Sequence, residues 1–332
     1  MDGIKESNKL SPEGFKTKIK DNKTTWLLEA LHPETRRTLG YIRFLKNKGQ
    51  VEMTNFGAQL SIDTLDLGYS TKRKDKSMAG AHGEGYKLAC LVFAREDYLV
   101  SFATSSFSWN FRFAGTEKRQ LYCCFNPTKD TALAKLKNTH YTRVSQGKTR
   151  KLKGNIWEDV TIKMGARGQK GRKITEDEFI SWRKQCMDLD HPSSIIQTSC
   201  GDLILDPNFS GRTYLMGLLL ESKSQSNPPQ FAYNFAQGYV NRDRQKMADA
   251  EEEGKMITNI WGEALKRDPA ETLRKYISML RAEKQCFDVT YAEYYISKDT
   301  ASSIWHSHLD EDPNNDRFYY DCESGDKVCT FN

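Results

Sequence analysis

The stretch "MAGAHGEGYKLACLVFAR", residues 78–95, constrains this chain more than any other. Gly80, Gly83 and Gly85 fall within six residues and run straight into an apolar stretch. Leu88, Leu91, Val92 and Ala94 recur there at three- and four-residue spacing, with Cys90 and Phe93 widening the face, which predicts an amphipathic helix. Glycine permits positive φ and close approach of a ligand to the backbone. A helix start leaves N–H groups without intrahelical partners and carries the positive end of the macrodipole. Glycines feeding such a start form an anion cradle, most often for phosphate. The bland alternative is a glycine turn that only carries the chain into a helix.

The motif is neither a Walker loop, which ends in Gly-Lys-Ser/Thr, nor the dinucleotide fingerprint, which needs a preceding strand and a later acid. Its spacing is G-x-x-G-x-G. Upstream, "VEMTNFGAQLSIDTLDLGYSTK" (51–72) reads as a strand, a turn at Asn55-Phe56-Gly57, a short helix and then Gly68-Tyr69-Ser70-Thr71-Lys72. A charged loop, "KRKDKSMAG", follows.

This order of strand, Asx-Gly turn, charged lid and glycine helix resembles the GHKL ATP-binding superfamily of gyrase B, the heat-shock chaperone ATPase, histidine kinases, MutL and MORC proteins. It resembles in particular uncharacterised GHKL-type proteins with an "S-T-K … G-x-H-G-E-G-x-K-L-A" run. The likeness is good over residues 40–115. It implies an α+β fold: a two-layer α/β sandwich with a mixed, mostly antiparallel sheet, followed by a second α/β domain. It also implies ATP and Mg2+ as ligands, with the lid (68–82) closing against the second domain as an order–disorder switch.

Carried over position by position, the resemblance makes Gly80, Gly83 and Gly85 the phosphate-facing backbone, with His82 and Glu84 between them and Lys87 one turn into the helix. Gly68, Ser70, Thr71 and Lys72 match the element before the lid, Lys72 as a phosphate contact. Family members have Asp-x-Gly-x-Gly at the base-binding turn. Here Asn55 replaces the Asp and Gln59 the second glycine, while Gly57 is kept. An amide oxygen still accepts from an adenine amino group, and its NH2 donates to a ring nitrogen, without charge assistance. Read without the family, Asn55-Phe56-Gly57 is simply a turn.

Hydrolysis in the family uses a Glu and an Asn four apart on the first helix, on one helix face. That pair is absent. Asn22 has Lys18 four residues before it, and Glu29 is followed by Ala30-Leu31-His32-Pro33. Lysine is no general base at neutral pH unless its pKa is strongly depressed. The first helix is therefore degenerate or partly missing, and the reading is a nucleotide-binding switch with weak or absent hydrolysis. The alternatives are an active ATPase with a displaced catalytic acid, and a pseudo-ATPase scaffold that binds nucleic acid or protein. Arg242 and Arg244, in "NRDRQ", are candidates for the basic side chain that a neighbouring domain donates to the γ-phosphate. They also fit surface ion pairs.

Residues 126–175 hold thirteen Lys/Arg against three Asp/Glu, densest in "KTRKLKGN". That segment is either a nucleic-acid or phosphate-facing loop (129–173) or a solvated insertion. The chain's net charge of +6 is concentrated there. No apolar run is long enough to cross a membrane, and the polar N-terminus has no signal-peptide core. Eight cysteines without framework spacing predict reduced thiols in a nuclear or cytoplasmic protein. "WHSH" (305–308) with Cys322 and Cys329 fits no compact zinc motif. A homodimer is a further expectation from the family, with no membrane partner.

The chain divides into a degenerate or frayed segment (1–38), an ATP-binding domain (39–168), a second α/β domain (169–300) and a polar C-terminal segment (301–332). "TTWLLEALHPETRR" predicts a short helix ending near Pro33. "TLGYIRFL", "QVEMTN", "YLVSFAT", "SWNFRFAG", "QLYCCFN" and "WEDVTIKM" predict strands, several alternating as a sheet with one packed face requires. Thr175 and Glu178 predict a capping box for "KITEDEFISWRKQC". Helices are predicted over 242–266 and 270–282, with Met247, Met256, Ile257, Ile260 and Trp261 as core.

Overall fold

The computed structural model describes residues 14–66, 85–115, 117–220, 227–238, 249–282 and 286–311. The chain forms two compact units that part after Leu189. Its class is α+β, with a large antiparallel sheet and several helices.

The first unit is built on an eight-stranded sheet of β1 (Lys16–Asp21), β2 (Thr25–Leu31), β3 (Thr38–Leu45), β4 (Gln50–Asn55), β5 (Leu99–Thr104), β6 (Phe107–Phe113), β7 (Leu121–Pro127) and β8 (Val160–Gly165). Their order is β1-β2-β3-β4-β8-β5-β6-β7. Two meanders are thus joined by the last strand, which lies between β4 and β5. Every pair is antiparallel, where a mixed, mostly antiparallel sheet was expected.

Residues directly opposite one another in a ladder share a face. One such row runs Trp26, Phe44, Val51, Met164, Val100, Phe111, Cys123 across seven strands. It is apolar throughout. Helix α1 (Gly85–Arg95) covers its β5–β7 end, where Cys90 packs with Phe102, Trp109 and Phe111. Helix α3 (Glu176–Arg183) covers the other end: the Phe179 ring lies 4.4 Å from Phe44 and 5.1 Å from Trp26. The next row runs Arg43, Glu52, Lys163, Ser101, Asn110, Cys124 and is almost wholly polar. The sheet therefore has one apolar face beneath helices and one polar face. Between β7 and β8 the basic segment forms helix α2 (Asp130–Ser145), which buries no residue.

Three expectations are corrected here. Residues 25–31 form strand β2 and not a helix. "TWLLEAL" is short and apolar enough for either, and pairing with β1 and β3 decides it. The segment 1–38, expected to be degenerate or frayed, accordingly supplies strands β1 and β2 of the first sheet, while its residues 1–13 lie outside the described residues. Helix α3, read as the start of the second domain, packs in the first unit. Its capping box forms as expected: Glu178 N donates to Thr175 Oγ1 (3.2 Å) and Thr175 N to Glu178 Oε2 (2.9 Å).

The second unit carries a five-stranded sheet in the order β12-β11-β13-β10-β9. The strands are β9 (Ile195–Gln197), β10 (Gly201–Ile204), β11 (Thr213–Leu215), β12 (Leu218–Leu220) and β13 (Ala232–Phe235), and β11 and β13 pair in parallel. Helices α4 (Ala250–Arg267) and α5 (Pro269–Leu280) bury Ile257, Ile260, Trp261 and Tyr276 against Leu203, Tyr233 and Phe235. Of the predicted core residues, Ile257, Ile260 and Trp261 are buried, Met256 is partly buried against them, and Met247 lies outside the described residues. Strands β11 and β12 form a hairpin, turned at Met216 and Gly217, both at positive φ. Asp288 is buried beneath the sheet, accepting from Tyr233 Oη, Gln230 N (2.6 Å) and Phe231 N (3.2 Å). The one-turn helix α6 (Ala292–Tyr295) and helix α7 (Lys298–Glu311) follow.

Candidate nucleotide site

Strand β4 ends at Asn55, opposite Gly40 of β3 and Val160 of β8. Since side chains alternate along a strand, Asn55 shares the helix-covered face with Val51 and Met53. It is half-buried, and among the described residues its amide makes no hydrogen bond. The chain then turns: Phe56 N donates to Leu39 O (2.9 Å), and Gly57 takes φ +65. An added Cβ at Gly57 would meet open space, so the glycine serves the backbone angle and not close packing.

The turn is held by a residue absent from the sequence-level reading. Asp159, just before β8, has a fully buried carboxylate. Its Oδ1 accepts from Gly57 N (2.9 Å), and its Oδ2 from Asn155 N (2.5 Å) and the Arg150 guanidinium. Burial pushes the carboxyl above its usual range, against the lowering pull of the two amides and Arg150. Arg150 stacks 3.9 Å from the Phe56 ring centroid, a cation–π contact that closes the cluster. The only sequence signal for Asp159 was an acid at the mouth of a predicted strand.

From Gly57 to Asp66 the chain is tied down at each step. Gln59 Nε2 donates to Trp157 O (2.7 Å), Leu60 N to Thr104 Oγ1 (3.2 Å) and Ser105 Oγ to Leu60 O (3.0 Å). A short 3-10 helix spans Ile62–Leu65. Tyr86 Oη then donates to Thr64 O and Lys87 Nζ to Asp66 O, so both ends of the intervening segment are fastened to the first turn of α1. Lys87 is thereby committed to a backbone carbonyl. Gly85 opens α1, with open space around its Cβ position. Gly68, Ser70, Thr71, Lys72, Gly80, His82, Gly83 and Glu84 lie outside the described residues, as do Arg242 and Arg244.

Of the catalytic candidates, Asn22 and Glu29 are described, and neither lies beside Asn55. Asn22 caps the β1–β2 turn, its Oδ1 accepting from Thr24 N (3.0 Å) and Thr25 N (2.9 Å). That turn lies at the Leu45–Gln50 end of the sheet, and Asn55 ends the same strand five residues on. At strand rise the two ends are roughly 17 Å apart. Glu29 stands opposite Tyr41, and Tyr41 opposite Thr54, so it lies on the polar face, away from Asn55. There it accepts from Lys20 Nζ (3.0 Å).

Compared with known proteins, the chain matches no family model and no curated sequence.

Other sequence features resolve into structure. Arg150 pairs with Asp159 and Glu158, and Arg172 with Glu96 and Glu178, so part of the basic segment is spent internally. Six described cysteines are free thiols; burial pushes Cys90 up to about 12 and Cys123 up to about 11. Among the described residues no His/Cys/Asp/Glu group is arranged to hold a metal, and no helix is long and apolar enough to cross a membrane. His306 lies on α7 with Nδ1 2.7 Å from Ser302 O, while Cys322 and Cys329 lie outside the described residues.

Proposed function

We propose that the first unit binds a nucleotide, ATP with Mg2+, on the helix-covered face at the end of β4. One observation carries the reading: the segments flanking the glycine run, at Thr64–Asp66 and Gly85–Lys87, are bonded to each other, and the former leads directly from the Asn55–Gly57 turn. The chain that bears the phosphate-type motif thus starts and ends on this face. Asn55 presents an uncommitted amide for a base, and the start of α1 offers backbone N–H groups and a positive dipole end for phosphate. The GHKL resemblance of the surrounding sequence supports the same ligand. The Mg2+ would be held chiefly by the phosphates.

Binding without efficient hydrolysis is the form of the activity we favour. Asn22 and Glu29, the residues nearest to a catalytic pair in the sequence, sit at the far end and on the opposite face of the sheet. Nucleotide then serves as a conformational switch and not as fuel.

Calorimetric titration with ATP and a non-hydrolysable analogue, with and without Mg2+, tests this beside a Gly83→Val/Gly85→Val variant. Binding at or below about 100 μM (roughly −5.5 kcal/mol) that vanishes in the folded variant supports it. Absence of heat at millimolar ATP overturns it. A phosphate-release assay separates switch from enzyme.

A further inference from the structure

The polar face of the eight-stranded sheet carries a concave pocket of about 380 Å3. Its floor follows from the ladder. Ser101 and Ala103 of β5 and Ser108 of β6 are small, and they stand between larger neighbours on the flanking strands. Lys163 is opposite Ser101 on one side and Asn110 on the other; Asn126 is opposite Ser108. Directly opposed residues have Cβ atoms only about 5 Å apart, so a patch of small side chains inside a ring of long ones is a depression in the sheet surface. The volume is within the range of small-molecule sites.

The chemistry of the lining is selective. Ser101, Ser108, Asn110 and Asn126 make no side-chain hydrogen bond among the described residues. Four uncommitted groups that both donate and accept therefore converge on one cavity. Lys163 and Arg167 bring two positive charges, and no carboxylate lines the pocket. Glu52, which does not line the pocket, lies 4.0 Å from Lys163 Nζ and is also bonded to Tyr41 Oη (2.6 Å) and Arg43 (2.9 Å). One carboxylate is thus shared between Arg43 and Lys163, and the longer of its two contacts is to the lysine. The ring of Phe102, whose backbone lines the floor, is buried on the opposite face against Trp109 and Phe111. The pocket thus offers no platform for a nucleobase to stack on.

We propose that this pocket binds a small polyhydroxylated anion of the sugar-phosphate class: the cations take the phosphate, and the serines and asparagines take the hydroxyls. The site is on the other face of the sheet from the nucleotide site and does not depend on it.

Titration of the full chain with glucose 6-phosphate, glucose and inorganic phosphate tests it, by calorimetry at fixed ionic strength. Lys163→Met removes the charge and keeps the stem; Ser101→Val fills the floor with a residue suited to a strand. Asn126→Ala, at an exposed strand end, serves if Ser101→Val does not fold, as judged by circular dichroism. The expected result is submillimolar binding of glucose 6-phosphate, about tenfold weaker in each variant (about 1.4 kcal/mol), unchanged in Gly83→Val/Gly85→Val, and much weaker for glucose or phosphate alone. Absence of saturable binding at about 10 mM, or binding that the pocket variants leave intact, overturns the proposal. So does loss of binding in the glycine variant, which would put the ligand in the nucleotide site. Preference for a single-stranded oligonucleotide that glucose 6-phosphate does not displace would also overturn it.

Discussion

The Asp159 carboxylate accepts a hydrogen bond from the Gly57 amide at 2.9 Å, across 102 residues of sequence. This one contact fastens the turn at the end of β4 to the mouth of β8, and through Arg150 to the Phe56 ring. It explains why a buried acid is tolerated here: two amides and a guanidinium supply what water would have given.

Asp159→Ala therefore leaves the Gly57 and Asn155 amides without their acceptor and Arg150 with Glu158 (3.3 Å) as its remaining carboxylate partner. We expect a loss of about 3 kcal/mol in the first unit, read from urea unfolding. Asp159→Asn retains a side-chain oxygen to accept one amide and should lose less. Equal stability of Asp159→Ala and the parent would refute a structural role for the contact.

At Asn55 the expectation concerns affinity and not stability. Asn55→Ala should weaken ATP about tenfold (about 1.4 kcal/mol) with little change in melting temperature. Asn55→Asp supplies a charge-assisted acceptor and should tighten adenine nucleotides over guanine nucleotides. Competition titrations with both nucleotides check the direction.

Glu29→Gln should leave nucleotide binding and any phosphate release at parental levels, because its strand register puts it on the polar face. Its pairing with half-exposed Lys20 predicts a stability change below about 1 kcal/mol. A large fall in phosphate release with this variant would revive it as a catalytic acid.

The second unit should show a pH signature at Glu253. Burial pushes this carboxyl up to about 7, opposed by a hydrogen bond with Thr213. The folded state then holds a proton that the unfolded chain releases near 4.5, so stability falls as pH rises from about 4.5 through 7. Glu253→Gln removes that loss. Its melting temperature should exceed the parent's at pH 8 and converge with it near pH 4.5, by thermal denaturation across that range.

Gly49→Ala tests the close approach beneath α3. Gly49 has φ +57, and a Cβ there would lie 2.5 Å from Lys173 Cβ and 2.9 Å from Ile174 N. Its carbonyl also receives Ile174 N (3.0 Å). Strain and clash together should cost at least about 2 kcal/mol in urea unfolding.

Local rules were enough for several elements of this protein. The α1 helix from Gly85, the Thr175–Glu178 capping box, the Asn55–Gly57 turn and the alternating strands β5 to β8 all follow from residues within a few positions of one another. Helix period, cap chemistry and strand alternation are short-range properties, and they are written in the chain directly. Partners distant in sequence decided the rest. "TWLLEAL" became a strand because β1 and β3 pair with it. Helix α3 joined the first unit because Phe179 found Trp26 and Phe44. Asp159 gained its role from Gly57, and Ser101, Asn110 and Asn126 became one pocket only when the ladder set them side by side. Register also separated Glu29 and Asn22 from Asn55, since a period of two assigns a face and strand length assigns an end. Neither quantity can be read from a segment until its neighbours in the sheet are known.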